Sequence, residues 1–107
     1  MITDAEGKGP TKEEADLYKS GIYLFMDTVT ADTCKEAIEF ILKQNIEKKK
    51  QKRLQFMICS PGGAMPDCFA LIDVMKGSRI PIHTVGLGCI ASCGLLLFIT
   101  GEKGHRI

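Results

Sequence analysis

Two glycine-containing segments carry the residues that could do chemistry. Residues 60–63 read Ser-Pro-Gly-Gly, and the two glycines can adopt positive φ and leave their backbone N–H groups open to a ligand. Residues 86–94 contain Ser92, followed by Cys93 and Gly94, at the start of an apolar stretch. A serine at a helix N-terminus lies beside unpaired N–H groups and the positive end of the helix dipole, which favour an anion. The two segments could therefore hold an oxyanion next to a nucleophilic hydroxyl.

Each segment taken alone also has a purely structural interpretation. Ser92 could cap the helix that follows it, because serine is a favoured N-cap residue. Ile90 stands where the nucleophile elbow of α/β-hydrolases has glycine, so the Gly-x-Ser-x-Gly pattern is incomplete. Residues 60–63 could form a plain turn before a helix, or pair their backbone with an extended peptide. The separate motifs leave these alternatives open.

Composition and charge argue against several classes of protein. The 107 residues are 45% hydrophobic and 25% charged, as in ordinary globular domains. A formal charge of +1 gives no overall excess that would favour nucleic acid or an anionic membrane. No apolar run approaches the roughly 20 residues that cross a bilayer, and we expect no secretory signal. The basic run at 47–53 is interpreted as a solvated helix end rather than a nucleic-acid contact, since no aromatic residues lie between its charges.

The five cysteines favour a reducing, cytoplasmic location. Their number is odd and no Cys-x-x-Cys occurs, so free thiols are expected. A metal site formed by Cys89, Cys93 and a histidine is a less favoured alternative, because the spacing matches no structural zinc pattern. Cys93 could itself be a nucleophile, but no basic residue adjoins it to favour its thiolate. We expect neither a metal nor a cofactor in the site.

Hydrophobic periodicity predicts strands that alternate with helices. The predicted strands are 21–26, 54–59 and 80–85, with a fourth that could start at 106–107. The predicted helices are a short turn at 12–18, then about 29–50, 66–76 and 90–100. Thr33 with Glu36 would form a capping box for the second helix, with Thr30 or Asp32 as alternative caps. This order predicts an α/β fold with a mainly parallel sheet, whose ligands bind at the carboxyl ends of the strands.

Together the motifs resemble one family. They are Ser-Pro-Gly-Gly at 60–63, Ala-Leu-Ile-Asp-Val-Met at 70–75, Ile-Ala-Ser-Cys-Gly at 90–94 and Gly-Glu-Lys-Gly-His-Arg at 101–106. This pattern resembles the proteolytic subunit of the Clp ATP-dependent protease, a serine peptidase of the crotonase-like superfamily. The likeness is strong over 54–106, weak over 21–53 and absent before residue 18. It implies the crotonase-like fold of repeated β-α units, incomplete here at the C-terminus.

The resemblance implies roles for individual residues. Ser92 matches the catalytic nucleophile, and the backbone N–H groups of Gly63 and Cys93 match the oxyanion hole. The segment that matches the substrate-binding strand consists of Gly62, Gly63, Ala64 and Met65. The family's histidine and aspartate follow the serine, beyond residue 107, and neither His83 nor His105 matches them. His83 is expected to be a half-buried strand residue and His105 a surface residue.

We therefore expect residues 21–107 to be the N-terminal portion of a peptidase domain, preceded by a polar arm at 1–20 and inactive without the rest. The resemblance implies polypeptide substrates, a homo-oligomeric ring of two stacked heptamers, and an AAA+ unfoldase ATPase as a candidate partner. It implies no nucleic acid, no membrane and no cofactor of the subunit's own. The alternatives are a catalytically inactive ring assembly partner and a crotonase-like acyl-CoA-binding protein.

Overall fold

The structure is a computed structural model and describes residues 11–107. Its helices are α1 Lys12–Lys19, α2 Ala31–Ile46, α3 Met65–Gly77 and α4 Cys93–Ile99. Its strands are β1 Ile22–Met26, β2 Leu54–Ser60 and β3 Ile82–Ile90. The α/β fold class is confirmed. The part of the predicted arm at 1–10 lies outside the described residues.

The three strands form one parallel sheet in the order β1-β2-β3. Residues that follow α4 add a further line of pairing at the outer edge of β3. Arg106 forms a parallel bridge with Thr84, and the Ile107 amide donates to the Thr84 carbonyl at 2.9 Å. The predicted start of a fourth strand at 106–107 is therefore confirmed.

One face of the sheet is covered by helices. Alternate residues of β2, beginning with Leu54 and Phe56, are buried against α2, α3 and α4. Phe56 belongs to an aromatic cluster with Tyr23 and Phe40, whose ring centroids lie 5.2 to 5.9 Å apart. On β1 the alternation leaves Leu24 exposed on the other face. Because β2 and β3 run parallel, the loops that follow them meet at one edge of the sheet.

The predicted end of β3 is wrong. β3 continues through Gly86 to Ile90, because pairing on both sides outweighs the low strand propensity of glycine. Gly86 pairs with Ile58 on one side, and its amide donates to the Ile107 carbonyl at 2.7 Å on the other. The Ile90 side chain fills the space where a Gly86 side chain would stand. As a consequence α4 begins at Cys93, three residues later than predicted.

The N-cap of α2 is Thr30, one of the predicted alternatives, and its capping box is formed with Thr33. Glu36 does not take part, because its carboxylate accepts a hydrogen bond from the Tyr23 hydroxyl at 3.0 Å. No helix within residues 11–107 is both long enough and apolar enough to cross a membrane.

Candidate functional site

Ser92 lies in the sharp turn between β3 and α4, with φ 53° and ψ −124°. Among residues 11–107 it is the one non-glycine residue with positive φ. Such a conformation costs on the order of 1–3 kcal/mol and persists only where the surroundings enforce it. Ser92 occupies the N-cap position of α4, yet its hydroxyl makes no capping hydrogen bond, and the residue is exposed. Helix capping therefore does not account for this serine, and its hydroxyl is open to a substrate.

Gly62 brings the first loop directly against Ser92. A Cβ built on Gly62 would lie 2.7 Å from the Ser92 Cβ and 3.1 Å from its Oγ, so no side chain fits between them. The Gly62 amide donates to the buried Ser60 hydroxyl at 3.1 Å, and its carbonyl accepts from the Val29 amide at 2.8 Å. These two bonds hold the loop in contact with the serine.

Gly63 runs alongside Val29 in a parallel bridge. A Cβ on Gly63 would collide with the Val29 carbonyl, so only glycine permits this approach. The next amide, that of Ala64, donates to the same carbonyl at 2.9 Å. The N–H of Gly63, by contrast, donates to no atom of residues 11–107. The loop therefore presents one unpaired donor at Gly63, the position to which the family resemblance assigns the oxyanion hole.

Cys93 joins the two loops. Its amide, at the first turn of α4, has no acceptor within the described part of the chain. Its buried thiol donates to the Gly63 carbonyl at 3.4 Å and lies 2.9 Å from the Met65 Sδ atom. The side chain thus points inward and ties Gly63 to α4, which argues against Cys93 as a nucleophile.

The predicted site residues therefore meet at one edge of the sheet. Comparison with models of known families matches residues 8–107 to Clp protease. The chain belongs to the Clp protease family. A relative is the ATP-dependent Clp protease proteolytic subunit 1 of Prochlorococcus marinus subsp. pastoris (strain CCMP1986 / NIES-2087 / MED4). It is 31% identical over 105 residues, which cover 94% of this chain and 53% of the relative. The chain thus spans about half the length of this curated relative.

In this Clp-family chain the buried thiols of Cys34 and Cys68 lie beside Cys93. The Cys68 thiol donates to the Cys93 carbonyl at 3.5 Å. Burial, together with the neighbouring Cys93, raises the pKa of Cys68 to about 12. Burial, with a smaller contribution from Asp67, raises the pKa of Cys34 to about 11. Both thiols stay protonated at neutral pH, so they add no charge to the buried region around Cys93.

Neither histidine of the described residues can serve as a base for Ser92. His83 lies near the amino end of β3 and Ser92 follows its carboxyl end. His83 pairs with Gln55 and Ile90 with Ser60, so the two positions on β3 are separated by five residue steps of β2, on the order of 17 Å. His105 stacks on His83, with ring centroids 4.0 Å apart, and so lies at the same distant end. His83 is half-buried and His105 exposed, as predicted.

Sequence reasoning missed two residues that shape the site. The Ser-Pro-Gly-Gly pattern predicts a turn at Ser60, but Ser60 is fully buried and its hydroxyl accepts a hydrogen bond from the Gly62 amide. Val29 pairs on both sides of Gly63, and the sequence carries no signal for this long-range contact. No spacing in the sequence indicates that His83 and His105 are neighbours, although the structure brings both to Glu102. The Cys89, Cys93 and histidine combination does not form such a cluster among the described residues.

Proposed function

We propose that this chain carries the nucleophile and the oxyanion hole of a Clp-type serine endopeptidase subunit. The observation that carries the proposal is the strained backbone of Ser92, which exposes a hydroxyl that caps nothing. Beside it lie the unpaired amides of Gly63 and Cys93. The hydrogen bond from the Cys93 thiol to the Gly63 carbonyl holds these two residues next to each other. A strained serine at a strand-to-helix turn, next to two free backbone donors, is an arrangement suited to acyl transfer.

The reaction follows from these groups. The Ser92 Oγ attacks the carbonyl carbon of a peptide bond while its proton passes to a base. The N–H groups of Gly63 and Cys93 stabilise the negative charge that develops on the carbonyl oxygen. The base returns the proton to the leaving amine, and water then releases the acyl group by the same steps in reverse order. This mechanism requires a histidine from outside residues 11–107.

Substrate binding would use the remaining donors of the first loop. The carbonyl of Gly62 and the amide of Ala64 are both engaged by Val29. The amides of Gly63 and Met65 have no acceptor within the described residues. An extended polypeptide could accept from Met65 while its scissile carbonyl accepts from Gly63, which is how an added strand is held.

The proposal includes the assembly implied by the family. We infer a homo-oligomeric ring of two stacked heptamers that works with an AAA+ unfoldase, in which ATP is used by the partner. Exposed apolar side chains on both sides of the sheet, such as Leu24, Met26, Phe69 and Leu95, are consistent with subunit contacts. The five free cysteines are consistent with a cytoplasmic location.

Ser92→Ala in the full-length protein tests the catalytic proposal. We expect the hydrolysis of a fluorogenic peptide to fall by at least about a thousand-fold, and labelling by a fluorophosphonate probe to disappear. Ser20→Ala is the matched control, since Ser20 is exposed and lies beyond α1, away from the site. Unchanged hydrolysis in the Ser92 variant would refute the proposal.

A catalytically inactive ring partner is the second candidate. It is favoured by one observation, the lack of a histidine near Ser92 within residues 11–107. In this case the full-length wild-type protein would neither hydrolyse peptides nor react with the probe, but would join a ring. Light scattering coupled to size-exclusion chromatography would detect the ring, and a monomer would exclude this candidate.

A further inference from the structure

The amino end of β3 brings together three metal-ligating side chains. His83 comes from the strand, and Glu102 and His105 come from the turn after α4. One ligand atom of each residue lies within 4.8 Å of the others. We propose that His83, Glu102 and His105 bind a divalent transition-metal ion, with Zn²⁺ as the preferred ion. The site lies at the end of β3 remote from Ser92 and is independent of the proposed peptidase chemistry.

The backbone beneath these side chains is fixed. The Glu102 amide donates to the Ile82 carbonyl at 2.8 Å, and the Thr84 amide donates to the His105 carbonyl at 3.0 Å. These bonds attach the turn to β3 on both sides of His83. Within the turn, the His105 amide donates to the Glu102 carbonyl at 2.9 Å. All three ligand backbones are therefore positioned before a metal arrives, which lowers the ordering cost of binding.

The spacing of the ligand atoms suits zinc. The Nε2 of His83 lies 3.3 Å from Oε2 of Glu102. Two ligand atoms at about 2.0–2.1 Å from a tetrahedral zinc are separated by about 3.3 Å, so this pair already has the required distance. The rings of His83 and His105 are stacked with an interplanar angle of 4°. Rotation of the exposed His105 ring about its side-chain torsions would turn its lone pair toward the same point.

The donor set selects the ion class. Two imidazoles and one carboxylate favour Zn²⁺, Ni²⁺ and Cu²⁺ over Mg²⁺ or Ca²⁺, which prefer oxygen ligands. Glu102 is 46% exposed, so water can occupy the fourth position of a zinc ion. The bound ion would join β3 to the turn that carries Arg106 and Ile107. Its expected effect is to stabilise the outer edge of the sheet.

Isothermal titration of the untagged full-length protein with ZnCl₂, after treatment with a chelator, tests the proposal. We expect one ion per chain, and at least about a ten-fold loss of affinity in Glu102→Gln and in His105→Asn. Both side chains are exposed, so neither variant should unfold the protein. Glu39→Gln, an exposed carboxylate on α2, and Cys89→Ser, an exposed thiol on β3, are the matched controls and should bind as the wild type does.

Two further measurements separate this site from other sources of zinc binding. Zinc should raise the melting temperature of the wild type by more than that of Glu102→Gln. The Co²⁺-substituted wild type should lack the near-ultraviolet sulfur-to-cobalt charge-transfer band. The proposal is overturned if wild-type binding is too weak to saturate at millimolar zinc, or if the Glu102 and His105 variants bind zinc as tightly as the wild type. Loss of binding in Cys89→Ser would also overturn it.

Discussion

Ser92 and His83 lie at opposite ends of β3, and the molecule holds the groups at these two ends by different means. The proposed site at the carboxyl end consists of one hydroxyl and several backbone amides. Its shape depends on glycines, because the missing side chains of Gly62 and Gly63 let the loops touch. The proposed site at the amino end consists of three side chains that sheet pairing brings together. The geometry of the first site therefore depends on the backbone conformation of its loops. The geometry of the second depends on how residues 102–107 pair with β3.

This difference predicts opposite sensitivities. An added methyl group should damage the carboxyl end, where backbone atoms already touch. Loss of a side-chain donor should damage the amino end, where side chains make the proposed metal contacts.

Gly63→Ala should have the largest effect. The added Cβ would collide with the Val29 carbonyl, and neither backbone can move without breaking the hydrogen bonds on both sides. We expect the free energy of unfolding, measured by urea denaturation of the full-length protein, to fall by about 3 kcal/mol. Gly104→Ala is the control: Gly104 also has positive φ, +89°, but a Cβ there meets nothing within 4 Å. Backbone strain alone should cost about 1 kcal/mol, and equal losses in the two variants would contradict the comparison.

Thr84→Val should have a smaller effect, at the amino end. Thr84 is fully buried, its hydroxyl donates to the Phe98 carbonyl at 2.8 Å, and Gly101 packs directly against its side chain. Valine keeps the shape but removes the donor, so we expect a loss of about 1 kcal/mol in the free energy of unfolding. The exposed Thr28 provides the matched control, because Thr28→Val should stay within about 0.5 kcal/mol of the wild type. A Thr84 variant as stable as that control would show that this hydrogen bond does not hold the turn.

The same difference explains how much of each site could be predicted from the sequence. Residues 60–63 and Ser92 could be singled out because each lies in a short segment whose glycines permit backbone conformations that other residues rarely adopt. Topology then placed both segments at the carboxyl edge of a parallel sheet. The cluster of His83, Glu102 and His105 could not be predicted, because it depends on residues 102–107 returning to pair with β3.

Errors at the ends of elements have the same physical origin. Gly86 indicated the end of a strand, but pairing with Ile58 and Ile107 on its two sides keeps the backbone extended. Glu36 fitted a capping box, but the Tyr23 hydroxyl from the neighbouring strand engages its carboxylate. Local propensity predicted the existence and order of the elements, whereas contacts between segments decided where three of them end or begin.

The smallest effect on stability should come from modifying a thiol at the exposed edge of the site. Cys89 is exposed, whereas Cys68 is fully buried and burial raises the pKa of its thiol to about 12. Iodoacetamide should therefore label Cys89 within minutes and leave Cys68 unlabelled, as followed by mass spectrometry of peptides.

Raising the pH to about 9 should speed the labelling of accessible thiols but not that of Cys68, since a thiol with a raised pKa remains protonated there. Unfolding in urea should remove the difference. Alkylation at Cys89 should change the free energy of unfolding by less than about 0.5 kcal/mol. Labelling of Cys68 at a comparable rate in the folded protein would mean that the buried region around Cys68 and Cys93 becomes accessible to solvent. The glycine contacts would then not be sufficient to keep the carboxyl end of β3 closed.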